Sequence, residues 1–381
     1  MIHITARWMD HYVDINFPCS EEELLDALKI RNPVDTSPAS VFISTLHHPE
    51  QLKQLEDRFV NLDELNYLAK RMDGMSHGEL IQFYAGANHE KYTELKDLIN
   101  LTFNLPRYTV VQHISDMEEV GRHHHLSKHQ IITQQDVKNI DFAALGRGLM
   151  RSGKGVVTEH GILFKNEDVP YYQVYDGQTF PQYNYYGDEL LTVEADYAGR
   201  RETLYLPCED LAITKAIYRL GCNSADEIDF TVADANFENT PWFARFQKLM
   251  TEAGIYQVNE VAHSLNEATM DLAKLDAVMQ YADRSDTSAI IAMADHLDHF
   301  VFLPGVTGDD EVAEYFIEHN EEYDLHSDLA DYFDYDGFGQ HLAANMDGKF
   351  VDAGYVCMAE DCSLENILRS IEDQAIAFGG M

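Results

Sequence analysis

The chain has 381 residues, long enough for several cores, and its 45% apolar and 11% aromatic content excludes a disordered acidic tail. Sixty-six acids against 27 bases leave a net charge of −39, a field that repels nucleic acid and membrane surfaces and attracts basic proteins. No run near 18 apolar residues and no signal-like opening is present, so a cytoplasmic protein without membrane or direct nucleic-acid contact is expected.

The charge is unevenly placed: residues 1–190 carry 28 acids and 17 bases, whereas residues 191–381 carry 38 and 10. A general surface acidity would spread more evenly, so the imbalance favours a localised role. Cys19, Cys208, Cys222, Cys357 and Cys362 are dispersed and odd in number, and read as reduced. Cys357 and Cys362 have no second pair of ligands near them in sequence to close a zinc site.

In chain order, Ile2-His3-Ile4-Thr5-Ala6 and Tyr12-Val13-Asp14-Ile15-Asn16-Phe17 alternate with the period of strands. Pro18-Cys19 ends the second run. Ser20 followed by Glu21, Glu22 and Glu23 then starts a helix, with a hydroxyl cap, acids in the first turn and Leu24, Leu25 and Leu28 behind them. Leu62, Leu65, Leu68, Ala69 and Met72 keep helical spacing and open a helical unit. A strand is expected at Tyr108-Thr109-Val110-Val111 and a closing one at Gly161-Ile162-Leu163-Phe164. Residues 170–187 contain Tyr171, Tyr172, Tyr175, Tyr183, Tyr185 and Tyr186 with Gly177 and Pro181 at a turn. They read as a hairpin or an extended linker, the hairpin being favoured.

The same grammar returns 189 residues later, where Leu204-Tyr205-Leu206-Pro207-Cys208-Glu209-Asp210-Leu211 repeats the strand, the Pro-Cys step and the acid-led helix, with Gly221 as its C-cap. Val261, Leu265, Thr269, Leu272 and Leu275 keep helical spacing, and strands follow at Phe300-Val301-Phe302-Leu303 and Gly354-Tyr355-Val356. Glu118-Glu119-Val120 answers Asp310-Glu311-Val312 at an offset of 192, and Leu145-Gly146 answers Phe338-Gly339 at 193. The expected class is α+β, as an elongated tandem duplication. Each copy has a small α/β domain, a helical domain and a second small α/β domain. These are residues 1–60, 61–105 and 106–168, a Tyr-rich connection at 169–189, then residues 190–257, 258–297 and an acidic 298–362. A C-terminal helix capped by Ser363 and running through Leu364, Ile367, Leu368 and Ile371 occupies 363–381.

Between Arg284 and Lys349 there is no lysine or arginine over 64 residues, while sixteen acids fall there, twelve of them from Asp309 to Asp336. Taken as a helix, residues 310–322 gather Asp310, Glu311, Glu314, Glu318, Glu321 and Glu322 on one side, with Val312, Tyr315, Phe316 and His319 as the buried stripe. Like charges at these spacings cost about 0.2–0.5 kcal/mol a pair, so folding alone would not choose them. Helical acids can recur roughly every 3.5 Å along the axis, close to the roughly 3.4 Å per phosphate of one DNA strand. The stretch reads as an acidic imitation of DNA. The candidate surface is Asp309, Asp310, Glu311, Glu314, Glu318, Glu321, Glu322, Asp324, Asp328, Asp331, Asp334 and Asp336. The plainer reading is a solvated face that aids solubility.

Candidates for chemistry are weak. His123, His124 and His125 with His129 lie consecutively on a helix, point in different directions and read as a surface cluster rather than a metal site. Gly153-Lys154-Gly155 is a turn and not a phosphate loop. Cys19 and Cys208 recur with the fold and read as core. No catalytic residue, metal or cofactor is expected, and the chain reads as not an enzyme.

Leu62-Asp63-Glu64-Leu65-Asn66-Tyr67-Leu68-Ala69, the run from Asp97-Leu98 to Asn104-Leu105, and Leu329-Ala330-Asp331-Tyr332-Phe333-Asp334-Tyr335-Asp336-Gly337-Phe338-Gly339 followed by Gly354-Tyr355-Val356 resemble the ArdA antirestriction family. The resemblance implies an elongated three-domain α/β protein that mimics bent B-form DNA. Such a protein occupies the DNA-binding cleft of a type I restriction-modification enzyme and inhibits it; members are carried by mobile elements. Typical members look like one copy and pair through their C-terminal domains, so a two-copy chain is expected to act as a monomeric pseudo-dimer or as a homodimer. The first copy departs from the acid-rich pattern, with Asp116, Glu118 and Glu119 followed by Arg122 and the histidines. The alternative function is an acidic adaptor or inhibitor of another basic nucleic-acid-binding protein.

Overall fold

Alternation of apolar and polar side chains becomes sheet at the N-terminus of the computed structural model, which describes residues 1–30, 40–112, 114–182, 189–235, 240–266, 271–319, 323, 325–330, 332–359 and 362–369. Strands β1 (Ile2–Trp8) and β2 (His11–Phe17) pair antiparallel with Ile2 opposite Phe17. Strands β3 (Ser40–His48) and β4 (Arg58–Asn61) extend them in the order β2-β1-β3-β4. Helix α1 (Glu21–Leu28) starts as its sequence predicts: Ser20 accepts from the Glu23 amide and Glu23 reaches back to the Ser20 amide.

The chain divides into two units, one of residues 1–187, 196–203 and 209–228, the other of 188–195, 204–208 and 229–381. In the first, α2 (Leu62–Asp73), α3 (His77–Glu90) and α4 (Leu95–Thr102) send Leu62, Leu65, Leu68, Phe83, Leu98 and Ile99 into one core with Ile2, Ile4 and Phe17. Next come β5 (Tyr108–Val111), α5 (Met117–His129), α6 (Gln134–Asn139), α7 (Phe142–Arg151), β6 (Val156–Thr158) and β7 (Gly161–Lys165), with an antiparallel sheet in the order β5-β7-β6.

The hairpin expected between the halves is not formed by its described residues, 170–182, which contain no strand. The backbone of residues 172–175 is held instead by asparagines of α4 and of the turn after it. The Asn100 amide donates to the Tyr175 carbonyl at 2.9 Å and accepts from the Val174 and Tyr175 amides at 2.7 and 2.9 Å. One turn on, Asn104 donates to the Tyr172 carbonyl and accepts from its amide. Phe180 stacks on Tyr67 and Tyr175, with centroids 4.6 and 5.4 Å away.

Helix α8 (Asp210–Leu220) ends at Gly221, whose φ of 83° is the left-handed cap expected there. It is seated by charge. Lys215, 8% exposed, donates to Glu21 at 2.5 Å and to Asp63 at 2.7 Å. Arg219 donates to buried Glu202 and lies over the Phe180 ring. Glu209 accepts from the Glu21 and Glu22 amides at the start of α1.

Strands β8 (Leu191–Tyr197), β9 (Arg200–Leu206) and β10 (Asp229–Ala235) form a sheet in the order β10-β8-β9. Helices α9 (Thr240–Ala253), α10 (Ile255–Asn266), α11 (Leu272–Ala282) and α12 (Thr287–Asp295) follow. The continuous helical spacing read from Val261 to Leu275 is broken. Helix α10 ends at Asn266 and Thr269 lies outside the described residues. Helix α11 starts afresh where the Asp271 carboxylate accepts from the Ala273 and Lys274 amides.

The remaining elements are β11 (Phe300–Pro304), α13 (Asp309–His319), α14 (Ser327–Ala330), α15 (Tyr335–Asn345), β12 (Lys349–Val351) and β13 (Gly354–Met358), with an antiparallel sheet in the order β11-β13-β12. Residues 364–369 are helical, and Ile371 and the rest of the expected C-terminal helix lie outside the described residues. Small separate sheets among helices make the fold α+β.

Candidate partner-binding surface

The acidic helix is placed by its apolar side. Val312 and Ala313 of α13 are buried, and Tyr315 and Phe316 pack against Leu303, Tyr355 and Cys357 of the small sheet. His319, expected in that stripe, is exposed instead. It sits at the end of the helix, stacked on Tyr315 at 4.2 Å with Nδ1 against the Tyr315 carbonyl. Helix α15 crosses so closely that a Cβ on Gly339 would meet the Asp309 carbonyl oxygen at 1.8 Å. Only glycine fits there, and the same holds for Gly146 of α7, whose Cβ would lie 2.0 Å from the Met117 carbonyl of α5.

With that side covered, Asp310, Glu311, Glu314 and Glu318 are exposed. They span about 12 Å of helix axis at 1.5 Å per residue, roughly 4 Å per charge and comparable with the roughly 3.4 Å of a DNA strand. The acids differ in what they do locally. Glu311 accepts from the Thr307 amide at 2.6 Å and the Gly308 amide at 3.3 Å, closing the start of the helix, and the Thr307 amide holds its carboxyl below the usual range. Asp334 caps α15 by accepting from the Gly337 amide at 3.0 Å, and Asp336 accepts from Gln340. Asp309 is half-buried at the close approach of α15. Glu314 and Glu318 are exposed with no capping role. Glu321, Glu322, Asp324 and Asp331 lie outside the described residues, as does the side chain of Asp328 on α14.

The other candidates resolve one by one. The three consecutive histidines of α5 point apart, while the His125 and His129 rings lie 4.5 Å from each other, centroid to centroid. His124 lies 3.0 Å from the Thr109 hydroxyl and burial lowers it to about 4, His125 lies 3.6 Å from Asp136, and His123 is exposed beside Glu119. Cys19 and Cys208, expected in the core, are half-buried. Burial pushes the Cys19 thiol up to about 12. Their recurrence has a partner the sequence did not single out. The Asn66 amide brackets the Cys19 backbone, accepting from its N–H at 3.0 Å and donating to its carbonyl at 2.9 Å; Asn259 does the same for Cys208 at 2.9 and 2.7 Å.

The region from α13 to α15 therefore displays exposed carboxylates on a small packed scaffold. Residues 201–357, which contain it, match the model of the antirestriction protein (ArdA) family. That is a family of inhibitors rather than enzymes, and the match implies an antirestriction protein. No curated protein matches the chain. No helix among the described residues is long and apolar enough to cross a membrane.

Proposed function

We propose that this protein is a DNA mimic that occupies the DNA-binding cleft of a type I restriction-modification enzyme and inhibits it without catalysis, as a cytoplasmic product of a mobile element. The observation that carries the reading is the row of exposed acids on α13, set in 64 residues without a lysine or arginine and inside the matched region. Carboxylates in such a row offer a basic cleft charges at a spacing similar to that of phosphates, so binding should weaken with salt. Asp309, Asp310, Glu311, Glu314, Glu318, Glu321, Glu322, Asp324, Asp328, Asp331, Asp334 and Asp336 form the contacting surface, with Glu311 and Asp334 also fixing the helices that carry the rest.

The duplication belongs to the same proposal. What supports it is order: β5, α5, α7 and β7 are followed 192 or 193 residues later by β11, α13, α15 and β13. The Cys19–Asn66 and Cys208–Asn259 brackets recur as well. One chain then serves as a pseudo-dimer, or pairs as a homodimer, with the domain limits 1–60, 61–105, 106–168, 190–257, 258–297 and 298–362 and the second copy carrying most of the mimicry.

The test is fluorescence anisotropy of a labelled duplex bound to a type I methyltransferase core, titrated with the protein at low and moderate salt. Displacement that weakens with salt, and further in an Asp310→Asn, Glu314→Gln, Glu318→Gln variant, supports the reading. Absence of displacement at low salt removes the type I assignment and leaves an acidic inhibitor of another basic protein.

A further inference from the structure

In the first unit, the outward face of the first sheet gathers three side chains that are good metal ligands. His3 on β1, Asp14 on β2 and His47 on β3 each place a donor atom within 4.8 Å of the other two. The His3 and His47 rings lie 4.5 Å apart, centroid to centroid.

Two features of the sheet build this group. Alternation along β1 sends Ile2, Ile4 and Ala6 into the core and leaves His3 and Thr5 on the other face. In β3 the pairing slips between His3↔His48 and Ile4↔Leu46, leaving His47 as the extra residue of a bulge, exposed beside His3 and Thr5. Bulges commonly re-aim a side chain in this way.

Behind the ligands stands Thr5. Its hydroxyl donates to Asp14 Oδ1 at 2.5 Å and lies 2.8 Å from His47 Nε2. With the hydroxyl proton given to Asp14, the imidazole supplies the Nε2 proton of the second contact, which leaves Nδ1 as the lone pair of a neutral ring. A single hydroxyl thus orients two of the three ligands, as outer groups do at metal centres. The core beneath needs neither imidazole.

We propose that His3, Asp14 and His47 bind one divalent transition-metal ion, with Zn²⁺ the best match. Two imidazole nitrogens and one carboxylate oxygen suit that ion, and three protein ligands leave a fourth position for water. The ion ties β1, β2 and β3 together at their solvent face.

Equilibrium dialysis of the full chain against Zn²⁺ tests this, with visible absorption of the Co²⁺-loaded protein reporting coordination. One ion is expected per chain, with the band intensity of a four-coordinate site and a raised melting temperature. His3→Gln, Asp14→Asn and His47→Gln should each weaken binding by more than tenfold, and Thr5→Val by about tenfold. Replacing His123, His124, His125 and His129 together by alanine should leave that ion in place. No uptake at millimolar Zn²⁺, or uptake that survives all three ligand changes, overturns the proposal. Asp14→Asn is nearly isosteric and exposed, so its result stands even if His3→Gln perturbs the sheet.

Discussion

Removing the Lys215 ammonium should loosen α8. Lys215→Met leaves Glu21 and Asp63, 17% and 11% exposed, facing each other without the cation between them. Breaking a buried pair from one side costs about 3–5 kcal/mol because a charge is left uncompensated. Asp63 keeps Arg219 at 3.7 Å, and water reaches Glu21, so the lower end applies. About 3 kcal/mol corresponds to roughly a 150-fold change in an opening equilibrium, which amide hydrogen exchange across residues 210–220 reads directly. Adding Glu21→Gln and Asp63→Asn to Lys215→Met should restore much of the protection, since no unpaired charge remains. Exchange that accelerates by less than about threefold, under 1 kcal/mol, would refute the claim that this cluster seats the helix.

Gly339→Ala places a methyl against the Asp309 carbonyl and should destabilise the second unit by about 3 kcal/mol, the upper end for overpacking, since the obstacle is backbone; thermal denaturation checks it. The Glu311 carboxyl is held below its ordinary 4.5, so its contribution is present above pH 4.5 and is lost as pH falls through the folded value. Glu311→Gln should therefore lower the melting temperature at neutral pH and leave it nearly unchanged in strong acid. His124 sits near 4 in the folded chain against an ordinary 6.5, so the folded state binds fewer protons between these values and stability should fall as pH drops through that window. His124→Gln, followed by denaturant titration at several pH values, should flatten that slope.

Local signals in the sequence are legible where the responsible partner is also local. The Ser20–Glu23 capping box and the Gly221 cap are complete within a few residues, and both form as predicted. The break before α11 is hidden in the sequence because the apolar period stays in phase from Val261 to Leu275; Asp271, which caps the new helix, is the signal that marks it. The course of residues 172–175 depends on Asn100 and Asn104, some 70 residues upstream, and tyrosine content does not reveal it. Lys215 meets acids 152 and 194 residues away, a pairing that only the fold creates. In the acidic stretch, charge density was legible, but the division between acids that cap and acids that only face solvent depended on the backbone around Thr307 and Gly337.

Asn100 and Asn104 hold their segment almost wholly by its main chain, each amide spending its oxygen and its nitrogen on peptide groups. Helix α4 and the turn after it are in effect a peptide receptor occupied by the chain's own tether. Its grip reads the spacing of successive peptide bonds and is largely indifferent to what Tyr172 and Val174 carry, both of which point out to solvent. Those two positions are free to drift in composition while the route of the tether stays fixed.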